Sequence, residues 1–125
     1  MSKQKTIAFD LDDVICWRPS GYEDLGPLKY DYCKPILETI DLVNSFYDEG
    51  YKIVIYTARG MSQYKGNVVD IYTHLYTRTT KQLDSWGLKY HSLVMGKIHY
   101  DVLIDDKALN SNKVTKKKIV DLLND

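Results

Sequence analysis

The sequence predicts a single α/β domain, residues 1–125, built on parallel strands. Three observations predict it. Short apolar runs, Ile7-Ala8-Phe9 and Tyr51 to Tyr56, flank a stretch of helical periodicity with little chain to spare between them. Strand, helix and strand joined by short links make parallel neighbours with a right-handed crossover. Each run also ends in polar residues of a chemical kind: Asp10-Leu11-Asp12-Asp13 after the first, Thr57-Ala58-Arg59-Gly60 after the second. In a parallel sheet those ends share one edge, the edge where ligands bind.

The chain of 125 residues is long enough for one real core. Apolar residues make up 44% and charged residues 27%, a globular mix. Acidic and basic residues balance at 17 each, so no overall field recruits nucleic acid or a membrane surface. No basic-then-apolar leader opens the sequence and no apolar run approaches membrane-spanning length, which suggests the cytoplasm. Cys16 and Cys33 stand outside any CxxC or Cys/His cluster and are expected as reduced thiols. Eleven tyrosines are unusual; they offer apolar area with a polar tip, useful in a small-molecule site or an interface.

Lys5 to Leu11 is the first strand, expected to be central and buried. Alternation sends Asp10 and Asp12 to one side and Asp13 to the other. Two carboxylates crowded at a strand end need a cation or a shared proton, and oxygen ligands of this kind suit Mg²⁺. Ile15 to Lys34 is expected to be irregular, because Pro19, Gly21, Gly26 and Pro27 break any helix. Following the acidic turn directly, it should fold over that turn as a flap. Pro35 to Glu49 is predicted as a helix, with Ile36, Leu37, Ile40, Val43 and Phe46/Tyr47 at spacings of three and four and Gly50 as its stop. Tyr51 to Tyr56 is the second strand, which puts Thr57 beside Asp10. A hydroxyl and free backbone N–H groups there suit a phosphate oxygen, and Arg59 adds charge-assisted bonds.

Within Met61 to Thr77, Ile71, Thr73, Leu75 and Thr77 alternate with Tyr72, His74 and Tyr76, which predicts extended chain rather than helix. His74 is a further site candidate, although no partner for it stands out. Thr79 to Trp86 should be a short helix closed by Gly87, Ser92 to Met95 a third strand, and Tyr100 to Ile104 a fourth, buried strand ending in Asp105-Asp106. Asn110, Ser111 or Asn112 can cap a last helix carrying Val114, Ile119, Leu122 and Leu123, with Lys116-Lys117-Lys118 on its solvated face.

Asp10-Leu11-Asp12-Asp13-Val14, Thr57, Lys97 and Asp105-Asp106, in that order, resemble the motifs of the haloacid dehalogenase (HAD) superfamily of phosphohydrolases. The runs Tyr56 to Met61, Gly66-Asn67, Met95 to Lys97 and Ile104 to Ala108 are similar to a smaller group within it, the capsular polysaccharide biosynthesis phosphatases. Asp13-Val14 departs from the Gly-Thr that many members carry. The resemblance implies a doubly wound parallel sheet with helices on both faces. The gaps from Asp13 to the first helix and from Thr57 to Lys97 are too short for a cap domain, so the chain resembles a capless member. It implies Asp10 as nucleophile, Asp12 as acid and base, Lys97 and Thr57 as catalytic partners, and Leu11 and Ala58 as backbone donors to phosphate. It implies Mg²⁺ held by Asp10, the backbone carbonyl of Asp12 and the pair Asp105/Asp106, with Asp106 favoured as the direct ligand. Arg59, His74 and the flap tyrosines are the candidates for substrate choice.

The function expected on these grounds is hydrolysis of a small phosphorylated metabolite, a sugar phosphate of surface-polysaccharide synthesis. Partners other than that metabolite are not expected, save that a capless site and many tyrosines leave room for a homo-oligomer. A HAD phosphatase of nucleotides or polynucleotide ends is the alternative within the class. A receiver domain is the alternative outside it, but its phospho-accepting Asp should end the middle strand, where this chain has Tyr56-Thr57.

Overall fold

The computed structural model describes residues 3–124. Three parallel strands form the main sheet: β1 (Thr6–Asp10), β4 (Lys52–Thr57) and β5 (Ser92–Met95), in the order β1-β4-β5. Two residue pairs, β2 (Cys16–Trp17) and β3 (Lys34–Pro35), make a small antiparallel ladder beside it. The middle strand explains the core. Ile53, Ile55 and Thr57 alternate into it and are fully buried, while Lys52 and Tyr56 face out. Asp10 lies opposite Tyr56 and Thr57 opposite Met95, so the three strand ends share one edge.

Helix α1 (Leu37–Asp48) packs Ile40, Val43 and Phe46 against the sheet and ends at Gly50, whose φ of 95° suits the left-handed stop. It starts two residues later than predicted because Pro35 pairs with Cys16 in the small ladder. The stretch after β4 runs through turns into α2 (Val68–Ile71), a π-helical segment (Tyr72–Tyr76) and α3 (Thr77–Ser85). The extended chain predicted over Ile71 to Thr77 is therefore corrected to helix. Alternation of period two also satisfies a spacing of four, and Ile71, Leu75, Thr79 and Leu83 are the buried residues. Asn67 caps the start by accepting the Asp70 N–H at 3.1 Å. Helix α4 (Lys116–Leu123) is capped by Thr115 rather than by the asparagines, and Ile119 faces the core.

Three further expectations are corrected. The first strand is an edge strand of the sheet, with Ala8 exposed, because nothing pairs with its outer side. Residues Glu23 to Tyr32 are not irregular but two 3₁₀ turns kinked at Gly26, whose φ of 59° breaks them apart. No strand forms over Tyr100 to Ile104; this stretch is irregular, with a bend at Asp101, and exposed, with Ile104 94% accessible. Among the described residues no helix is long and apolar enough to cross a membrane.

Candidate functional site

The end of β1 sets Asp10 at the sheet edge, and the turn after β5 brings Lys97 to it. The Lys97 backbone N–H donates to the Thr57 carbonyl at 3.1 Å, which fixes the turn. Its ammonium reaches Asp10 Oδ2 at 2.9 Å. Burial alone would lower the pKa of Lys97; the hydrogen bond and charge of Asp10, with help from Tyr100, outweigh it and hold the ammonium above its ordinary value. Asp10 Oδ1 accepts the Leu11 N–H at 2.8 Å. Oδ2 therefore faces a cation and Oδ1 a backbone donor.

Asp12 sits one turn further and meets Arg59, which sequence reasoning placed at the substrate. Arg59 is instead buried, with 2% of its surface accessible. Its Nε donates to Asp12 Oδ2 and its Nη2 to Asp12 Oδ1, both at 3.0 Å. Nη1 donates to Gln82 Oε1 at 2.8 Å, and the guanidinium lies 4.9 Å from the Tyr30 ring centroid. Burial opposes its charge, but the Asp12 carboxylate overcomes that and raises the pKa of Arg59. Asp12, Cys16 and Cys33 are the one group of potential metal ligands found among the described residues. Arg59 Nη2 lies 3.6 Å from Cys16 Sγ, so a guanidinium already balances the group's charge. Both thiols are buried and free. Cys16 Sγ donates toward Asp12 Oδ1 at 3.4 Å; the neighbouring Cys33 thiol, burial and the Asp12 charge raise the pKa of Cys16, while the Cys16 thiol lowers that of Cys33.

Two adjoining clefts open over Asp10. The larger, about 390 Å³, is lined by Asp10, Ala58, Lys97 and the bend Ile98 to Asp101. The smaller, about 200 Å³, adds Asp12, Thr57, Arg59, Arg18, Lys29 and Tyr30. Thr57 is buried and its Oγ1 accepts the Arg59 N–H at 3.1 Å. Asp10, Asp12, Thr57, Ala58, Arg59 and Lys97 thus come together. Leu11 is adjacent, but its N–H is taken by Asp10. His74 lines neither cleft; it stacks on Tyr64 with centroids 5.3 Å apart. Asp105 and Asp106 line neither cleft and lie on the exposed stretch.

Sequence reasoning missed His99, which lines both clefts and lies 3.5 Å from Ser62 Oγ. Its place two residues after Lys97 was the available signal. Tyr30 was grouped with the other flap tyrosines, yet it is buried: its hydroxyl accepts the Gly60 N–H at 3.1 Å and approaches Gln63 Oε1 at 3.3 Å.

Comparison with known proteins adds the fold. No family model and no curated protein matches the chain. Among solved structures, a crystal structure of a structural-genomics target from Vibrio cholerae is similar to it, at 28% identity over 97% of this chain and 98% of that one, with a TM-score of 0.78.

Proposed function

We propose that this chain is a phosphomonoester hydrolase of HAD type, capless, on a doubly wound sheet. Its expected substrate is a small phosphorylated metabolite such as a sugar phosphate, and residues Ile15 to Lys34 act as the flap. The observation that carries the reading is the Asp10–Lys97 pair at the shared strand edge, 2.9 Å apart, with Thr57 at the next strand end. A carboxylate nucleophile must meet an anionic phosphate, and a half-buried ammonium on that carboxylate lowers the repulsion. Arg18, Lys29 and Tyr30 lining the smaller cleft support the flap.

In this reading Asp10 attacks phosphorus and the bond to the leaving alkoxide breaks, with Asp12 giving the alkoxide a proton. Water then attacks the aspartyl-phosphate, gives its proton to Asp12, and the bond from Asp10 to phosphorus breaks. Lys97 offsets the charge on the phosphoryl oxygens. Asp12 Oδ2, which accepts from Arg59 Nε alone, is the oxygen available for the proton. Arg59 keeps that carboxylate in place rather than touching substrate.

The Mg²⁺ that the resemblance implies fits one chain in part. Mg²⁺ asks for about six oxygens, typically with one or two carboxylates in the set. Asp10 offers one carboxylate and the backbone carbonyl of Asp12 would offer a further oxygen, but Asp105/Asp106 stand apart from both clefts. No step is routed through the ion.

The test is phosphate release from p-nitrophenyl phosphate and a panel of sugar phosphates and nucleotides, with Mg²⁺ and with EDTA. Asp10→Asn is expected to lower turnover about 10³-fold or more while the fold is kept. Full activity in that variant would sink the reading.

A further inference from the structure

We infer that the smaller cleft holds a second anionic group of a small-molecule ligand, a carboxylate or a phosphate, between Arg18 and Lys29. Three cations surround the Tyr30 ring: Arg59 at 4.9 Å from its centroid, Lys29 at 5.3 Å and Arg18 at 5.8 Å. Arg59 is neutralised by Asp12. Arg18 and Lys29 are not, for among the described residues neither forms an ion pair. Glu23 feels both charges, but its carboxylate accepts the Gly21 N–H at 2.9 Å and pairs with neither. An aromatic face attracts a cation without using up its N–H donors. Two like charges are thus gathered on one ring with donors to spare. They repel each other until an anion enters.

The ring is a fixed platform. Tyr30 is buried, its hydroxyl accepts from Gly60, and its carbonyl accepts from Gln82 at 2.8 Å. The two cations reach it from different places, Arg18 from just after β2 and Lys29 from the 3₁₀ turn beyond Gly26. Both line the smaller cleft, whose wall also carries Asp10. Lys97 lines the larger cleft only, and Asp10, Ala58 and His99 are common to the two. The cations therefore flank Asp10 on two sides. An anion seated at Lys97 leaves Arg18 and Lys29 unpaired, whereas a molecule with an anion at each end serves both sets. A cleft of about 200 Å³ suits one end of a metabolite. On the phosphatase reading the phosphate to be released lies with Lys97, and the second anion marks the substrate class. The word second rests on that reading; the anion site between Arg18 and Lys29 does not.

The test uses three probes that share one phosphate. Glucose 6-phosphate has no second anion, 6-phosphogluconate adds a carboxylate at the far end of the same carbon chain, and glucose 1,6-bisphosphate adds a phosphate there. Calorimetric titration of the intact chain in EDTA reads binding apart from turnover. At least one two-anion probe should bind about tenfold or more tighter than glucose 6-phosphate, and which one does so tells carboxylate from phosphate. Arg18→Gln with Lys29→Gln should bring that ratio to within about twofold of one. Arg18→Lys with Lys29→Arg should keep it, which separates charge from folding. Lys52→Gln with Lys117→Gln should keep it too. That pair removes as much charge far from the cleft: Lys52 opens β4 at the end away from Thr57, and Lys117 is exposed on α4, whose Lys116 pairs with Glu49 before β4. Equal binding of the three probes, or binding of none, overturns the anion site. So does a ratio that survives the first pair, is lost in the charge-conserving pair, or falls as far in the distant pair. If the ratio behaves as expected but wild type with Mg²⁺ releases phosphate from nothing in the panel, the phosphatase reading falls and the anion site stands.

Discussion

Arg59 shows how one residue's surroundings set its role. A buried guanidinium that fastens a carboxylate at two points costs little while paired and much when its partner is stranded. Arg59→Ala is expected to lose about 3–5 kcal/mol of stability, read by urea unfolding, because Asp12 is left beside two buried thiols without its cation. Arg59→Lys should recover little of that, since a lysine cannot hold both Asp12 oxygens and Gln82 together. Lys97 behaves differently because its raised pKa makes it pH-dependent. A cation held above its unfolded value stabilises fully below about pH 10.4, and that contribution fades as pH rises through the folded value. Tyr90 adds to the same slope: burial and then Asp84 push it up to about 12, so the folded chain keeps a proton that the unfolded chain gives up near pH 10. The urea midpoint should therefore fall as pH rises from about 10 to about 12, and fall less in Lys97→Met carrying Tyr90→Phe.

At the scale of elements, the link from β4 to the long helix is the tightest point. Gly60 has a φ of 82°, and a Cβ there would lie 2.6 Å from Leu75 Cδ1. Gly60→Ala should cost about 1–3 kcal/mol by thermal unfolding, since both the backbone and a buried leucine must give. The same link explains what could be read from sequence and what could not. The β4 strand and α1 were legible because Ile53, Ile55, Ile40, Val43 and Phe46 each repeat with the period of one element only. Residues 71–77 were misread because Tyr72, His74 and Tyr76 are exposed or half-exposed on a helix and mimic the outer face of a strand. Asp10 and Thr57 were legible as neighbours because parallel topology brings both strand ends to one edge, whereas Lys97 joined them only through the motif resemblance. The burial of Arg59 was not, because its partners Gln82 and Tyr30 lie 23 and 29 positions away and no local pattern announces them.

At the scale of the molecule, the expected centrality of β1 failed for a reason outside any local pattern: whether a strand has a second neighbour depends on whether the chain can return to it. The core is therefore gathered on β4, and α1 and the long helix supply most of the cover. Leu83→Ala, at a fully buried site on α3, is expected to destabilise the whole domain by about 2–5 kcal/mol in urea unfolding. The segment Glu23 to Tyr32 is tied to the rest of the chain through Tyr30, whose hydroxyl meets Gly60 and whose carbonyl accepts from Gln82, and through Asp31, which pairs with Arg78. This gives the Gly60 amide a second meaning. Its hydrogen leaves for deuterium only when the Tyr30 hydroxyl moves away, so one exchange rate times the lifting of an entire surface segment. A ligand seated beneath that segment should slow this single clock before it changes any other.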